Sequence, residues 1–443
     1  MHQKHAAAGY QDAAEGWNVS PRTLSRQERR TGFGEVESTL TLAQAVQEAN
    51  RCLYCYDAPC IQGCPAQIQI PEFIARIRSH NITGAAEVIY RDNPLGAICG
   101  RVCPVEALCQ KACTSCRINT PIAIGSLQRF VCDLALQEGR IAFQDETNVL
   151  GKVAVVGSGP AGLSCAHYLR QRGCEVDLFE KEDLAGGLLR WGIPIYRLPE
   201  EVAKREIDLI TDRVALHRKY LLGTQAEDIL KQYDAIFLGI GLSSPILLRT
   251  PGADLPGVYA AASFLRALRE KKGEDFAFYG KEIAVVGGGA TALDTARSAI
   301  RLGASKVTVL YRRTAEEMPA FSSEVEAAFQ EGVDFLWLMS PVEIIQVDGR
   351  LKLILEGIRL GEPDESGRAS VIPTGIRTNF LADAVLVAIA SQAEPVVVEG
   401  WTDHPKVFRG GDLTGGATVV QAVADGKEAA LGIISWLEKG GSQ

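Results

Sequence analysis

Long apolar runs are missing from this sequence: nothing in its 443 residues approaches the roughly 18 consecutive apolar residues of a membrane span. The opening stretch, MHQKHAAAGYQDAAEGW, also lacks the apolar centre of a secretory leader. The expectation is a cytoplasmic protein with no membrane partner. A basic surplus is missing too, since 46 Lys and Arg stand against 54 Asp and Glu, so no electrostatic footprint for nucleic acid is predicted. Histidine is scarce at six residues, with His2, His5 and His80 in unpatterned positions. There is no Ser-His-Asp set, no H-E-x-x-H and no paired-carboxylate motif, so no catalytic side chain is predicted and the chemistry is assigned to cofactors. Methionine (3) and aromatics (7%) are sparse against 44 glycines and 47% hydrophobic residues, a balance that fits an α/β enzyme with many strand-to-helix turns.

Those turns are visible. Residues 151–181 read GKVAVVGSGPAGLSCAHYLRQRGCEVDLFEK: a β-branched strand, then Gly157, Gly159 and Gly162, a helix, and a second strand ending in Glu180. This is the order of a dinucleotide-binding βαβ unit, in which amides at the helix N-terminus hold a pyrophosphate and the acid takes ribose hydroxyls. A second unit begins at Ile283, with Gly287 and Gly289 in the turn and Ala292 in the third position. Its second strand ends in Arg312 and Arg313. Glu180 therefore predicts FAD or NAD at the first site, and the arginines predict a 2'-phosphate, hence NADP, at the second. Gly411-Asp412, after a late strand, is a candidate flavin contact.

Cysteine is not scarce but clustered: ten of twelve lie between Cys52 and Cys132, and the other two are Cys165 and Cys174. Cys52, Cys55, Cys60 and Cys64-Pro65 form C-x2-C-x4-C-x3-C-P, and Cys99, Cys103, Cys109, Cys113 and Cys116 follow. Cysteine before proline suggests ligands interleaved between two iron–sulfur clusters. Thiolates also suit zinc, although neither group shows a clean knuckle spacing. Cys99, Cys116 and Cys132 receive no role from spacing, and are expected to be buried or to pack behind the ligands.

Around these motifs, residues 1–35 read as a mobile tail carrying Arg22, Arg26, Arg29 and Arg30. Helices are predicted from Thr39 (inward face Leu42, Ala45, Val46, Ala49), from Pro71 (Phe73, Ile74, Ile77), over 84–92, and through Ile124, Leu127, Phe130, Val131 and Leu134. Residues 144–148 read as a linker. The fold class is α/β: an all-helical two-cluster Fe–S domain (36–148), a FAD-binding domain (149–262 and 381–443), and a nicotinamide-nucleotide domain (263–380) inserted into it.

The order of cysteine domain, G-x-G-x-x-G, GGLLRWGIPIYRLP, second G-x-G-x-x-A, YRR and terminal GGD…VVQAV resembles the glutamate synthase small-subunit superfamily. Within it, RCLYCYDAPCIQGCPAQI, LGAICGRVCP, IGSLQRF and GLSSP are most similar to the electron-input subunit of bacterial dihydropyrimidine dehydrogenase. The resemblance implies one FAD, NADPH or NADH, and two 4Fe–4S clusters. It assigns Cys52, Cys55, Cys60 and Cys113 to one cluster, and Cys64, Cys103, Cys109 and Gln128 to the other, with Cys116 as a rival fourth ligand. Gly187, Leu188 and Arg197, with Ala161, Thr418 and Val419, match flavin contacts; Ala290, Thr291, Arg312 and Arg313 match nicotinamide-nucleotide contacts. The partner implied is an FMN- and Fe–S-containing pyrimidine reductase in a hetero-oligomer. A glutamate synthase large subunit is the alternative, and a non-catalytic nucleotide-binding regulatory subunit an alternative of another class. Pyrimidine subunits of this kind are often NADH-dependent and lack the arginine pair, so the pair predicts NADPH here. Ala388-Ile389-Ala390 replaces the family's usual A-x-G.

Overall fold

The computed structural model describes residues 19–141, 143–218, 224–271, 275–363, 367–393, 401, 404–416 and 418–441. His2 and His5 lie outside them. The chain divides into two compact units, Met1–Thr23 with Glu37–Ala142, and Leu24–Val36 with Phe143–Gln443. The expected mobile tail is therefore corrected for residues 24–35. They hold α1 (Arg26–Thr31), closed by a capping box between Ser25 and Glu28. Val36 N–H donates to the Tyr196 carbonyl at 3.0 Å. Arg29 donates to Gln330 Oε1 (3.2 Å) and Arg30 to the Glu331 carbonyl (2.9 Å) at the end of a helix. A helix C-terminus carries orphan carbonyls and partial negative charge, so these arginines are tertiary clasps rather than a solvated patch.

The smaller unit is all helical: α2 (Leu42–Ala49), α3 (Pro59–Gln62), α4 (Ile70–Arg78), α5 (Ile82–Asp92), α6 (Gly96–Val102) and α7 (Ile124–Gln137). Phe73, Ile74 and Ile77 of α4 and Ile124, Leu127, Phe130 and Val131 of α7 are buried, as their 3.6-residue spacing requires. Around α2 the expected face is rotated. Leu42 is exposed and Glu48 is fully buried, because its carboxylate takes the Arg51 guanidinium (2.6 Å) and the Ala123 N–H (2.8 Å). α6 went unpredicted, since seven residues rich in glycine show no period. Its glycines instead let α7 come close: a Cβ on Gly100 would stand 2.9 Å from the Arg129 nitrogen.

The larger unit contains two parallel five-stranded sheets. The first has the order β15-β4-β1-β2-β3, from Val407–Arg409, Ala235–Leu238, Lys152–Val156, Glu175–Glu180 and Ala215–Arg218. The second has the order β6-β13-β7-β8-β9, from Val258–Ala260, Ala384–Val387, Glu282–Val286, Lys306–Tyr311 and Asp334–Trp337. Helices α8 (Pro160–Gln171), α9 (Leu188–Trp191), α10 (Glu200–Thr211), α11 (Thr224–Gln232) and α15 (Val419–Glu438) accompany the first. Helices α12 (Ala261–Arg269), α13 (Ala290–Arg301) and α14 (Ser322–Glu331) accompany the second. A short ribbon joins β5 (Ser244–Pro245) to β14 (Ser391–Gln392), and β10 (Met339–Val347), β11 (Arg350–Pro363) and β12 (Ala369–Ala382) make an antiparallel meander. One nucleotide-binding fold thus interrupts the other, but two expected borders move. Residues 258–260 and 384–387, expected in the FAD-binding segments, are neighbouring strands of the second sheet, paired to each other, with 384–387 also paired to β7. A parallel strand's place is fixed by its crossover rather than by its local pattern. The expected linker is tied down as well: Asp145 pairs with Arg213, and Glu146 N–H donates to the Gln171 carbonyl.

Candidate cofactor sites

The first glycine turn forms because β1 must reverse into α8 within three residues. Gly157 supplies φ +98°, outside the range an L side chain adopts readily. At Gly162 a Cβ would stand 1.8 Å from the Gly157 carbonyl oxygen, so only glycine lets α8 lie this close to the turn. Gly159 is the N-cap of α8, with no side chain capping the helix, and nothing lies nearer than 4.0 Å to its Cβ position. Free amides and open space at a helix N-terminus are what a pyrophosphate requires. Glu180, buried at the end of β2, accepts from the Ser158 N–H (3.1 Å) and Oγ and from the Glu182 N–H (2.9 Å).

Distant segments converge on this turn. A Cβ on Gly187 would stand 3.0 Å from Gly159 Cα, which brings up the loop that leads into Leu188, itself half exposed. Gly411 lies against Ala161, and Gly426 of α15 packs onto the Ala161 carbonyl. Thr418 caps α15 by accepting the Gln421 N–H (3.2 Å), which sets Val419 at the start of that helix. Asp412 is held above the usual carboxylate range by burial and by the neighbouring Asp425. Arg197 behaves differently. Its guanidinium is bound by Asp294 of α13 (2.8 Å) and Glu324 of α14 (2.8 Å), so it clasps the two nucleotide-binding folds together.

The second turn repeats the plan with different chemistry. Gly289 caps α13 with no side-chain hydrogen bond, nothing lies within 4 Å of its Cβ position, and Thr291 is exposed beside Ala290. Gly287 lies against the Ala388 carbonyl, so the unusual Ala388-Ile389-Ala390 loop faces this turn. The expected arginine pair is split. Arg312 is exposed, whereas Arg313 is buried with Nε donating to the Ala369 carbonyl at 2.9 Å. Consecutive residues leaving a strand face opposite ways, so adjacency in sequence does not make a two-pronged clamp. Arg368, which sequence reading missed, reaches the same strand end and donates to Tyr311 Oη at 2.9 Å.

In the helical unit, the loop from Tyr54 to Gln67 carries three non-glycine residues of left-handed conformation, Tyr54 (+50°), Ala58 (+38°) and Gln67 (+56°). Such conformations persist only where surroundings impose them, and functional loops are where they cluster. Here they turn cysteines inward. Cys52, Cys55 and Cys60 line one cavity together with Cys113, with Leu53, Ile70 and Ile74 among its apolar walls. Cys64, Cys103 and Cys109 form a second group, in mutual electrostatic reach, and Cys109 also senses Cys60 of the first. Burial and neighbouring thiols push Cys60 and Cys109 up to about 12. With those values the thiols keep their protons, and a bound metal would have to displace them. No three His, Cys, Asp or Glu side chains among the described residues converge on a single-ion site. Thiols spaced around a cavity suit a polynuclear cluster, whose ligands bind different metal atoms.

Gln128, buried on α7, donates from Nε2 to the Gly96 carbonyl at 2.8 Å and so faces the helix that leads to Cys103. Cys116 is exposed, donates to the Gln110 carbonyl, and has Cys113 of the first group as its thiol neighbour. Cys132, Cys165 and Cys174 are buried free thiols. Cys99, expected as a packing residue, is buried on α6. The C-x3-C spacing of Cys99 and Cys103 is one helical turn, a signal hidden because α6 itself was not foreseen.

Residues 151–426, more than half of the chain, match the model of the pyridine nucleotide-disulphide oxidoreductases. The chain belongs to that family. Residues 29–140 match the dihydropyrimidine dehydrogenase domain II, 4Fe–4S cluster model. The chain is similar to the glutamate synthase [NADPH] small chain of Escherichia coli (strain K12), 35% identical over 95% of this chain and 97% of that one. It is also similar to the NAD-dependent dihydropyrimidine dehydrogenase subunit PreT of the same organism, 38% identical over 91% and 97%. Among solved structures, Mycobacterium tuberculosis FprA in complex with NADPH shares the fold, with TM-score 0.54 and 19% identity over 66% of this chain and 87% of that one. The chain is thus an NAD(P)H-dependent oxidoreductase with an iron–sulfur domain, and 4Fe–4S, flavin and pyridine nucleotide are the cofactor classes of its relatives, as the sequence predicts. No helix among the described residues is long and apolar enough to cross a membrane.

Proposed function

We propose that this chain is an electron-input subunit, taking reducing equivalents from NADPH and passing them singly to a separate reductase that acts on uracil or thymine. The observation that carries the reading is the convergence of Cys113 on the cavity of Cys52, Cys55 and Cys60, beside a second thiol group. A flavin supplies the conversion from the two electrons of a nicotinamide to the single electrons of a cluster. The first glycine turn would hold its pyrophosphate on the amides of α8, Glu180 would take its ribose hydroxyls, and Asp412 with the start of α15 would meet its chain. At the second turn, α13 would hold the nicotinamide nucleotide, with Arg312 at its 2'-phosphate. Cys52, Cys55, Cys60 and Cys113 would hold one 4Fe–4S cluster; Cys64, Cys103, Cys109 and Gln128 would hold the other. Gln128 is buried and bonded to the Gly96 carbonyl whereas Cys116 is exposed, which supports Gln128 over Cys116 as that fourth ligand.

The similarity to a glutamate synthase small chain keeps a glutamine-dependent large subunit as the second reading. Affinity purification under anaerobic conditions, with mass spectrometry of co-purifying chains, separates the two. The proposal expects an FMN-containing partner that confers uracil- or thymine-dependent NADPH oxidation. Recovery of a glutamine-hydrolysing partner instead would overturn the pyrimidine assignment.

A further inference from the structure

The two dinucleotide units align strand for strand. Val156 of β1 stands opposite Phe179 of β2, and Val286 of β7 opposite Leu310 of β8, so the residues that come next, Glu180 and Tyr311, hold the same place. In the first unit that place carries a carboxylate, which suits ribose hydroxyls and repels a phosphate. In the second it carries a neutral phenol whose ring lies against the turn, where a Cβ on Gly288 would collide with it. The Tyr311 hydroxyl donates to the Glu317 carbonyl at 2.9 Å. Arg368 donates from Nη2 to both of those oxygens, Tyr311 Oη at 2.9 Å and the Glu317 carbonyl at 3.1 Å. A guanidinium is therefore stationed at the strand end where the first unit has its acid. It comes from outside the parallel sheet, immediately before β12 of the antiparallel meander.

We infer that Arg368 is a specificity-determining residue of the nucleotide site, binding the 2'-phosphate of NADPH together with Arg312. The inference rests on the NADPH reading above. Arg312 follows Tyr311 directly and is exposed, so two distant chain segments bring cations to one strand end. A phosphate monoester carries up to about two negative charges and three acceptor oxygens, more than one guanidinium satisfies. Arg313, the other member of the sequence pair, is engaged elsewhere. Its Nε donates to the carbonyl of Ala369, the residue after Arg368, and so fixes the backbone that carries Arg368. A purely structural role for Arg368, pinning the meander to β8, would use the same two bonds. Both bonds come from one nitrogen and end on neutral oxygens, so they place the guanidinium without neutralising it. A structural pin would serve NADH and NADPH alike, whereas a phosphate ligand serves only the second.

The test is calorimetric titration of the flavin-loaded full chain with adenosine 2',5'-bisphosphate and with 5'-AMP, alongside KM for NADPH and NADH. Wild type, Arg368→Ala, Arg368→Lys and Arg312→Ala are compared. Arg368→Ala should weaken bisphosphate binding and raise KM for NADPH, each roughly 5- to 50-fold, with 5'-AMP binding and NADH kinetics unchanged. Arg368→Lys, which keeps the charge but not the planar fork, should recover part of the loss, and it carries the same comparison where the alanine variant does not fold. Flavin content equal to wild type is the control for folding. Equal losses for NADPH and NADH in Arg368→Ala would make the residue a structural pin and overturn the inference while the NADPH reading stands. Unchanged bisphosphate binding in Arg368→Ala, with binding lost in Arg312→Ala, would do the same. A wild type that binds the bisphosphate no more tightly than 5'-AMP and prefers NADH would remove the NADPH reading itself, and the inference with it.

Discussion

The two glycine turns descend from one plan, yet each position 130 residues apart has been given different chemistry. Gly162 and Ala292 occupy the third position of the motif. The first admits no Cβ, while the second buries a methyl group completely. Gly187, Gly411 and α15 pack beside the first turn, whereas the second keeps Thr291 and Arg312 exposed. On the reading proposed above, the more covered turn would keep a flavin and the more exposed one would take a nucleotide that leaves after each hydride. One helical turn further in, His167 on α8 corresponds to Arg297 on α13. The first fold buries a neutral imidazole there and the second a charge paired with Glu331. The lesson is that a shared backbone motif does not by itself fix the chemistry around it; the segments packed beside the two turns differ.

The comparison can be broken most severely outside both turns. Cys113→Ala should remove the first cluster and about half of the iron while leaving flavin content intact, as read by iron and flavin analysis. Next in size is Glu331. Burial alone would raise its carboxyl, but the Arg301 (2.5 Å) and Arg297 (2.8 Å) guanidiniums outweigh this and hold it below the usual range. Glu331→Ala strands two buried cations and should cost about 3–5 kcal/mol in denaturant unfolding. Gly162→Ala should cost about 1–3 kcal/mol and expel flavin, whereas Ala292→Gly should spare flavin binding altogether. Arg312→Ala should raise KM for NADPH roughly 10- to 100-fold with kcat nearly unchanged and NADH kinetics unaffected.

A further effect concerns pH. Burial, then the charge of Lys427, pushes His167 down to about 3, and its Nδ1 meets the Arg213 guanidinium at 3.0 Å. Below the ordinary histidine value the unfolded chain binds a proton that the folded chain refuses. Stability should therefore fall between about pH 6.5 and 3, by at most about 1.4 kcal/mol per unit, and His167→Gln should flatten that slope. Glu331, with its folded value lowered, contributes fully above the ordinary carboxylate range. That contribution is lost as pH falls through the lowered value, so the two corresponding positions are separable by their pH windows.

Both βαβ units, the helical cysteine domain and the interruption of one fold by the other were legible, because each rests on local periodicity or on residues a few positions apart. What stayed hidden depends on contacts far along the chain. The Arg29–Arg30 segment looked like a tail because its partners, Gln330 and Glu331, lie some three hundred residues away. Strand β13 looked like part of the returning segment because its neighbours are chosen by crossovers. The burial of Arg313 was hidden because nothing local announces the Ala369 carbonyl that its Nε reaches. Helix α6 was hidden because it is too short and too rich in glycine to show a period.

The most direct test of the central claim, one resident flavin fed by an exchangeable nucleotide and drained by clusters, is anaerobic addition of NADPH to the purified chain while its flavin absorbance is followed. The account predicts bleaching of the flavin band at low NADPH, with Arg312→Ala shifting the required concentration upward. A chain that carries its full flavin and iron but does not bleach would contradict the account and leave a protein that binds nucleotides without using them.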